Sequence, residues 1–169
     1  MRMAELTQKE RLQPSLLDRL TDDAPNERNE SRDARVLSLQ RLRECVLRDL
    51  TWLLNTECLE AAVNLDATPE IKNSVLNFGI PAIAGVIASG LELSKLERQV
   101  RNAIIAFEPR LLKNKLEVKA LFSHEMMSRK TLVFEIDGEL WAQPVPLRMF
   151  LRTELDLETG KVSIAESNH

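Results

Sequence analysis

SKLERQVRNAIIAFEPR, Ser94 to Arg110, is the stretch from which the rest of the chain can be placed. Ser94 and Glu97 have the spacing of a capping box, in which each side chain bonds a backbone N–H at a helix start. Leu96, Val100, Ala103, Ile104 and Phe107 then recur at helical steps and make one apolar face. Pro109 stops the helix, because the residue before a proline is driven out of the α region. The reading therefore puts Glu108 just past the last turn in an extended conformation, with Arg110 two residues on and projecting to a similar side. A carboxylate at a helix C-terminus is disfavoured by roughly 0.3–1 kcal/mol unless a cation answers it. Two readings of the pair stay open: a solvated loop with a weak ion pair, or a small polar fork offered to a partner.

Upstream the pattern is helical. PSLLDRL, Pro14 to Leu20, is a short amphipathic turn whose Leu16, Leu17 and Leu20 must dock on the domain body or on a partner. Thr21 to Asp33 is charged, lacks apolar periodicity and reads as a linker. Arg35 to Asn55 is the longest helix, with Val36, Leu39, Leu42, Val46, Leu50 and Leu53 on one face. Arg41, Arg43, Glu44, Arg48 and Asp49 read as its solvated face. Thr68-Pro69-Glu70 starts another helix, which runs to about Asn77 before Gly79 closes it.

Downstream the period changes to two. Leu116, Val118, Ala120 and Phe122 alternate with residues read as charged or exposed, as do Leu132, Phe134 and Ile136, which lead into an Asp137-Gly138 turn signal. Glu139 to Pro146 contains Trp141 and two prolines, Pro144 and Pro146, and reads as a crossing loop or an edge piece. Leu147, Met149, Leu151 and Leu155 make a third strand, Gly160 a turn, and Val162 with Ile164 a short fourth strand. Helices first and strands after predict an α+β fold, with N-terminal helices packed on one face of a three- to four-stranded antiparallel sheet. The domain reading is a flexible 1–34 segment carrying the short docking helix, one domain over 35–165, and a tail at 166–169. Met149 to Asp156 has neither proline nor glycine, so two readings stay open: an edge strand able to pair with an incoming strand, with Phe150, Arg152 and Glu154 as candidate docking positions, or a central strand already paired on both sides.

Composition excludes more than it assigns. A net charge of -3 over 169 residues gives no electrostatic case for nucleic acid. Cys45 and Cys58 fit no disulfide framework, and with His124 and His169 as the only histidines there is no metal-ligand spacing; no metal or cofactor is expected. No signal peptide is expected, and the apolar run Phe78 to Leu91 is broken by Gly79, Pro81, Gly85 and Gly90, well short of the ~20 residues a span needs. The expectation is a soluble, cytoplasmic protein without membrane insertion. Phosphate-binding glycine loops and nucleophile elbows are lacking. A glycosidase would need a second carboxylate beside Glu108, and Glu92, Glu135, Asp137 and Glu139 offer themselves without one standing out.

Four segments occur in order: SLLDRL (Ser15–Leu20), SVLNFGIPAIAG (Ser74–Gly85), FEPRL (Phe107–Leu111) and LRTELDLETG (Leu151–Gly160). Together, over roughly residues 12–163, they resemble the TssE family of type VI secretion baseplate subunits, which is related to a wedge protein of contractile phage tails. The resemblance implies a structural, non-enzymatic subunit on the cytoplasmic side of the inner membrane. It implies contacts with other baseplate wedge subunits and with sheath proteins whose assembly it helps start, a sheath strand being the segment that would pair with Met149–Asp156. It also implies that Glu108, Pro109 and Arg110 form the family's signature and serve partner binding. Many relatives carry the label "lysozyme-like", so the rival is a peptidoglycan-cleaving muramidase with Glu108 as general acid. A generic adaptor docking through Pro14–Leu20 is a third reading.

Overall fold

Helix α2, Leu39–Leu54, carries Leu42, Val46, Leu50, Leu53 and Leu54 into the interior at steps of three and four, and it is the first wall of the core. The structure is a computed structural model, and it describes residues 15–21, 39–72, 74–82, 93–121, 131–141 and 146–166. A second wall is α4, Leu93–Phe107, which buries Leu96, Val100 and Ile104. Both close over a four-stranded antiparallel sheet of order β1-β2-β3-β4: β1 Glu117–Leu121, β2 Thr131–Leu140, β3 Leu147–Asp156 and β4 Val162–Glu166. Alternate strand residues, among them Val118, Leu132, Phe134, Ile136, Leu140, Met149, Leu151, Leu155 and Val162, meet the helices in one core. This is the α+β arrangement that the change of period predicts.

Local differences have local causes. α1, Leu16–Leu20, is capped by Ser15, with Asp18 completing a capping box. The box expected at Ser94 and Glu97 is not used: Ser94 is already inside α4, and Glu97 Oε1 accepts from the Ala120 N–H of β1 at 2.8 Å. The helix expected from Thr68 to Asn77 splits into α3, Pro69–Lys72, and a 3-10 turn, Val75–Asn77, capped by the Ser74 hydroxyl. Asn77, buried, ties this region together by accepting from the Glu60 N–H and donating to the Lys72 carbonyl. Gly79 has φ 130° and brings Ile80 into a parallel bridge with Glu57.

The turn signal at Asp137-Gly138 is overridden. β2 continues to Leu140, because Gly138 pairs with Met149 and leaves room for the Leu111 and Leu116 side chains above it. The open-edge reading of β3 is also corrected, in favour of the central strand. Leu151–Leu155 is bonded to β2 on one side and to β4 on the other, so Arg152 and Glu154 stand in an internal strand, and Phe150 pairs with Asp137. Consecutive hairpins place each strand beside its sequence neighbour, and the turn at Gly160 (φ 71°) folds β4 onto the side that had looked free. Pro144, Phe122, His124, Glu92 and most of the 21–33 linker lie outside the described residues.

Candidate functional site

The end of α4 does not deliver Glu108 to solvent. Its N–H still closes a helical bond to the Ile104 carbonyl at 2.8 Å, and its own carbonyl accepts from the Leu111 N–H at 3.2 Å. Pro109 and Arg110 thus occupy the middle of a turn, where proline's fixed φ suits the position after Glu108. The turn feeds directly into the sheet. The Arg110 carbonyl accepts from the Trp141 N–H at 2.7 Å, and the Leu112 N–H donates to the Glu139 carbonyl at 2.9 Å. With the chain pinned at both ends, the side chains have little freedom of direction.

The Arg110 guanidinium folds back onto Glu108 in a two-pronged pair, Nε to Oε1 at 2.6 Å and Nη2 to Oε2 at 2.5 Å. The Arg110 N–H adds a third bond to Oε1 at 3.2 Å. Glu108 is only 3% exposed. The outward fork expected from the sequence is therefore corrected to an inward one, and the solvated loop is excluded as well. Nη2 also donates to Asp49 Oδ2 of α2 at 2.5 Å. Asp49 Oδ1 accepts from Arg48 Nε at 2.9 Å, and Arg48 Nη2 faces Asp18 Oδ1 of α1 at 2.8 Å. Arg48 lies over the Trp52 ring at 5.2 Å. Arg48 and Asp49, expected on a solvated face, belong to this cluster.

Asp18, Asp49 and Glu108 thus share Arg48 and Arg110, leaving one formal negative charge in excess. Burial pushes the Asp18 carboxyl up, but hydrogen bonds from Ser15, Arg48 and Cys45 outweigh it and hold the group at about 2. Burial, and then Asp18, raise the Cys45 thiol, so it stays protonated beside the carboxylate. Burial works against the Arg110 charge, yet its bonds to Glu108 and Asp49 raise its pKa. Arg110 Nη1 is buried without a hydrogen bond, 3.9 Å from Asp18 Oδ2, while Asp18 Oδ1 and Arg48 Nη2, also buried, meet as an ion pair at 2.8 Å.

Chemically this is a fastening. Both Glu108 oxygens are taken up by Arg110. Glu135, Asp137 and Glu139 alternate with the buried residues of β2 and so point to the face away from the helices. What the cluster fastens is α1. Asp18 turns inward with a side chain 5% exposed, while Leu16 and Leu20 stand 73% and 74% exposed. The amphipathic arm is docked by its acid, and its leucines face out. Val75 and Leu76 are a second exposed apolar pair, at 83% and 67%. Phe150, Arg152 and Glu154 lie on the sheet and do not join the cluster. Among the described residues there is no group of side chains that could hold a metal and no helix long and apolar enough to cross a membrane.

Asp18, Arg48 and Asp49 were missed as site residues, although the Ser15-to-Asp18 capping spacing and the adjacent Arg48-Asp49 pair were visible signals. SLLDRL and FEPRL, far apart in the chain, meet in this one cluster. Comparison with curated proteins and with solved structures gave no match. Comparison with protein families matched residues 40–145 to the family described as baseplate wedge protein gp25. That match covers most of α2, all of α4, the Glu108–Arg110 turn, β1 and β2, while α1 with Asp18, β3 and β4 lie outside it; the chain belongs to the gp25 baseplate wedge family.

Proposed function

We propose that this chain is a structural subunit of the baseplate of a type VI contractile secretion machine. In this reading it docks to other wedge subunits on the cytoplasmic side of the inner membrane and helps start assembly of the sheath. Family membership supports the baseplate role. The observation that carries the docking reading is the α1 arm, bound by Asp18 to Arg48 with its leucines outward. A helix that covered core would bury its leucines; this one buries its acid and exposes apolar area, the usual mark of a surface awaiting a partner. Glu108, Pro109 and Arg110 serve partner binding indirectly here, by holding the platform on which α1 sits. The chain does not act as a muramidase in this reading, because Glu108 is enclosed by Arg110. Peptidoglycan turnover that disappears in Glu108→Gln would overturn that point.

The test is the double variant Leu16→Ser, Leu20→Ser, compared with the natural chain for co-purification with the other wedge subunits and for thermal melting. Loss of co-purification with a melting temperature within a few degrees is expected, since surface substitutions alter stability by about 0.5 kcal/mol or less. Undiminished co-purification would remove α1 as the docking surface.

A further inference from the structure

The turn Ser74–Asn77 is amphipathic the wrong way round for a segment that covers core. Its polar residue is inside: Asn77 is 7% exposed, while Val75 and Leu76 stand 83% and 67% exposed. Hydrogen bonds fix that orientation. Asn77 Oδ1 accepts from the Glu60 N–H at 2.9 Å, and Asn77 Nδ2 donates to the Lys72 carbonyl at 3.0 Å. The Ser74 hydroxyl accepts from the Leu76 N–H at 3.3 Å and donates to the Ile71 carbonyl at 2.9 Å. Just downstream, Phe78 packs edge-on against Phe107 of α4, and Ile80 is bonded to Thr56 and Cys58. Rolling the turn to bury its apolar side chains would break these bonds and strand the Asn77 amide, so both side chains stay outside.

The surroundings of the pair carry charge of one sign. From Glu57 to Asn77 the chain has four acids, Glu57, Glu60, Asp66 and Glu70, against one base, Lys72, which leaves a net charge of -3. This stretch therefore holds as much net negative charge as the whole chain. Asn77 bonds the backbone of both Glu60 and Lys72, which brings these charges beside the turn. Lys72 Nζ is taken up by Glu60 at 2.9 Å and Asp66 at 3.1 Å. Glu57 and Glu70 are exposed and have no ion pair among the described residues. The result is a fixed apolar pair on an acidic platform, which is the anatomy of a small interface: apolar anchors with charge at the rim.

We propose that Val75 and Leu76 are the anchors of a second docking surface, whose occupant is an adjoining baseplate subunit presenting an apolar socket ringed by lysine or arginine. The inference rests on the assembly role proposed above and adds a surface built from elements other than the α1 arm. Charge selects the occupant. A second copy of this chain would bring acid against acid, and an anionic membrane surface would be repelled in the same way. A basic rim is drawn instead to the unpaired Glu57 and Glu70 carboxylates, while the two apolar side chains leave water. The fixed turn helps as well, because little has to be ordered on this side when the partner arrives.

Leu76→Cys puts a thiol on this surface, whereas the natural cysteines, Cys45 and Cys58, are buried. The alkylation rate of that thiol is measured on the full chain, alone and in complex with the co-expressed wedge subunits. Rapid labelling is expected alone, and labelling about tenfold slower or more in the complex, since a central anchor is closed to water. Equal rates in a fully formed complex overturn the inference and leave the assembly role standing. Slower labelling of the isolated chain at raised concentration, or on adding phosphatidylserine vesicles, also overturns it, since the occupant is then a second copy or a membrane. Val75→Ser, Leu76→Ser is expected to weaken binding to the purified complex of the other wedge subunits about thirtyfold, with melting unchanged. Undiminished binding overturns the inference. Glu57→Gln, Glu70→Gln is expected to slow association about threefold at low salt and to flatten its salt dependence. An unchanged rate and salt dependence overturns it too, because the partner's rim is then not basic. Failure of the natural chain to join the other wedge subunits overturns the assembly role and the inference with it.

Discussion

Arg110 reaches from the turn after α4 to Asp49 on α2, Nη2 to Oδ2 at 2.5 Å, and through that bond joins the two helices that roof the sheet. The same nitrogen holds the Glu108 carboxylate, which is 3% exposed. Removing one member of a buried, hydrogen-bonded ion pair leaves the other charge uncompensated, at a cost of about 3–5 kcal/mol. Asp49 remains to answer Arg110, so Glu108→Ala is expected near the lower end, about 3 kcal/mol, read as a fall in the urea midpoint at constant slope. A midpoint unchanged by Glu108→Ala would mean that the pair contributes nothing to the fold and that the motif acts only at an interface.

Arg110→Lys separates charge from geometry. A lysine keeps the positive charge but cannot make the two-pronged pair with Glu108 and reach Asp49 together. A loss of about 1–2 kcal/mol is expected, smaller than that of Arg110→Ala. Equal losses for the two variants would show that the planar fork is irrelevant.

The elements themselves were legible in the sequence because their signals are local. Apolar steps of three and four mark α2 and α4, alternation marks the strands, and Gly160 marks the last hairpin. The cluster was not legible in the same way. Glu108 looked exposed because only its own helix end was legible; Arg110 folds back over it and is itself held by Asp49 of α2 and faced by Asp18 of α1. Arg48 and Asp49 sit outside the apolar stripe of α2, which usually means solvent; here the stripe's flank is covered by the α1 arm and the turn after α4. Gly138 misled as well: β2 runs on through it, paired with Met149 and with the Leu111 and Leu116 side chains close above.

Two glycines are expected to respond in opposite ways to alanine. At Gly79, φ is 130° and an added Cβ would lie 2.4 Å from the Thr56 carbonyl oxygen, so the Glu57–Ile80 bridge must open. Backbone strain and the loss of the bonds between Ile80 and both Thr56 and Cys58 together predict a loss of about 3 kcal/mol. At Gly138 an added Cβ would meet only the Leu111 and Leu116 methyls, at 3.3 and 3.4 Å. Relief of glycine's conformational entropy, about 0.5–1 kcal/mol, offsets that crowding, so Gly138→Ala is expected to be nearly neutral. Thermal melting of both variants checks the contrast, and a severe loss at Gly138 would show that the leucines cannot move.

Acid should loosen α1 before it unfolds the domain. Asp18 is held at about 2 when the arm is docked, against its ordinary 3.8. A depressed pKa contributes stability that is fully present above the free value and is lost as pH falls through the docked one. The Ser15 part of that shift is internal to the arm, and the part supplied by Arg48 and Cys45 of α2 favours docking at neutral pH. That contribution declines from near pH 4 toward pH 2. Arm release is expected to appear as movement of the Ser15 and Thr21 amide resonances in that window, since Ser15 bonds Asp18 and the Thr21 N–H closes the helix on Leu17. The Trp52 emission should move with them, because Arg48 lies over its ring and loses its Asp18 partner. Asp18→Asn should show the released spectrum already at neutral pH, with the core resonances in place. Titration of the arm at the ordinary value of 3.8 would mean that Asp18 gains nothing from Ser15, Arg48 and Cys45, and that something other than this carboxylate holds α1 down.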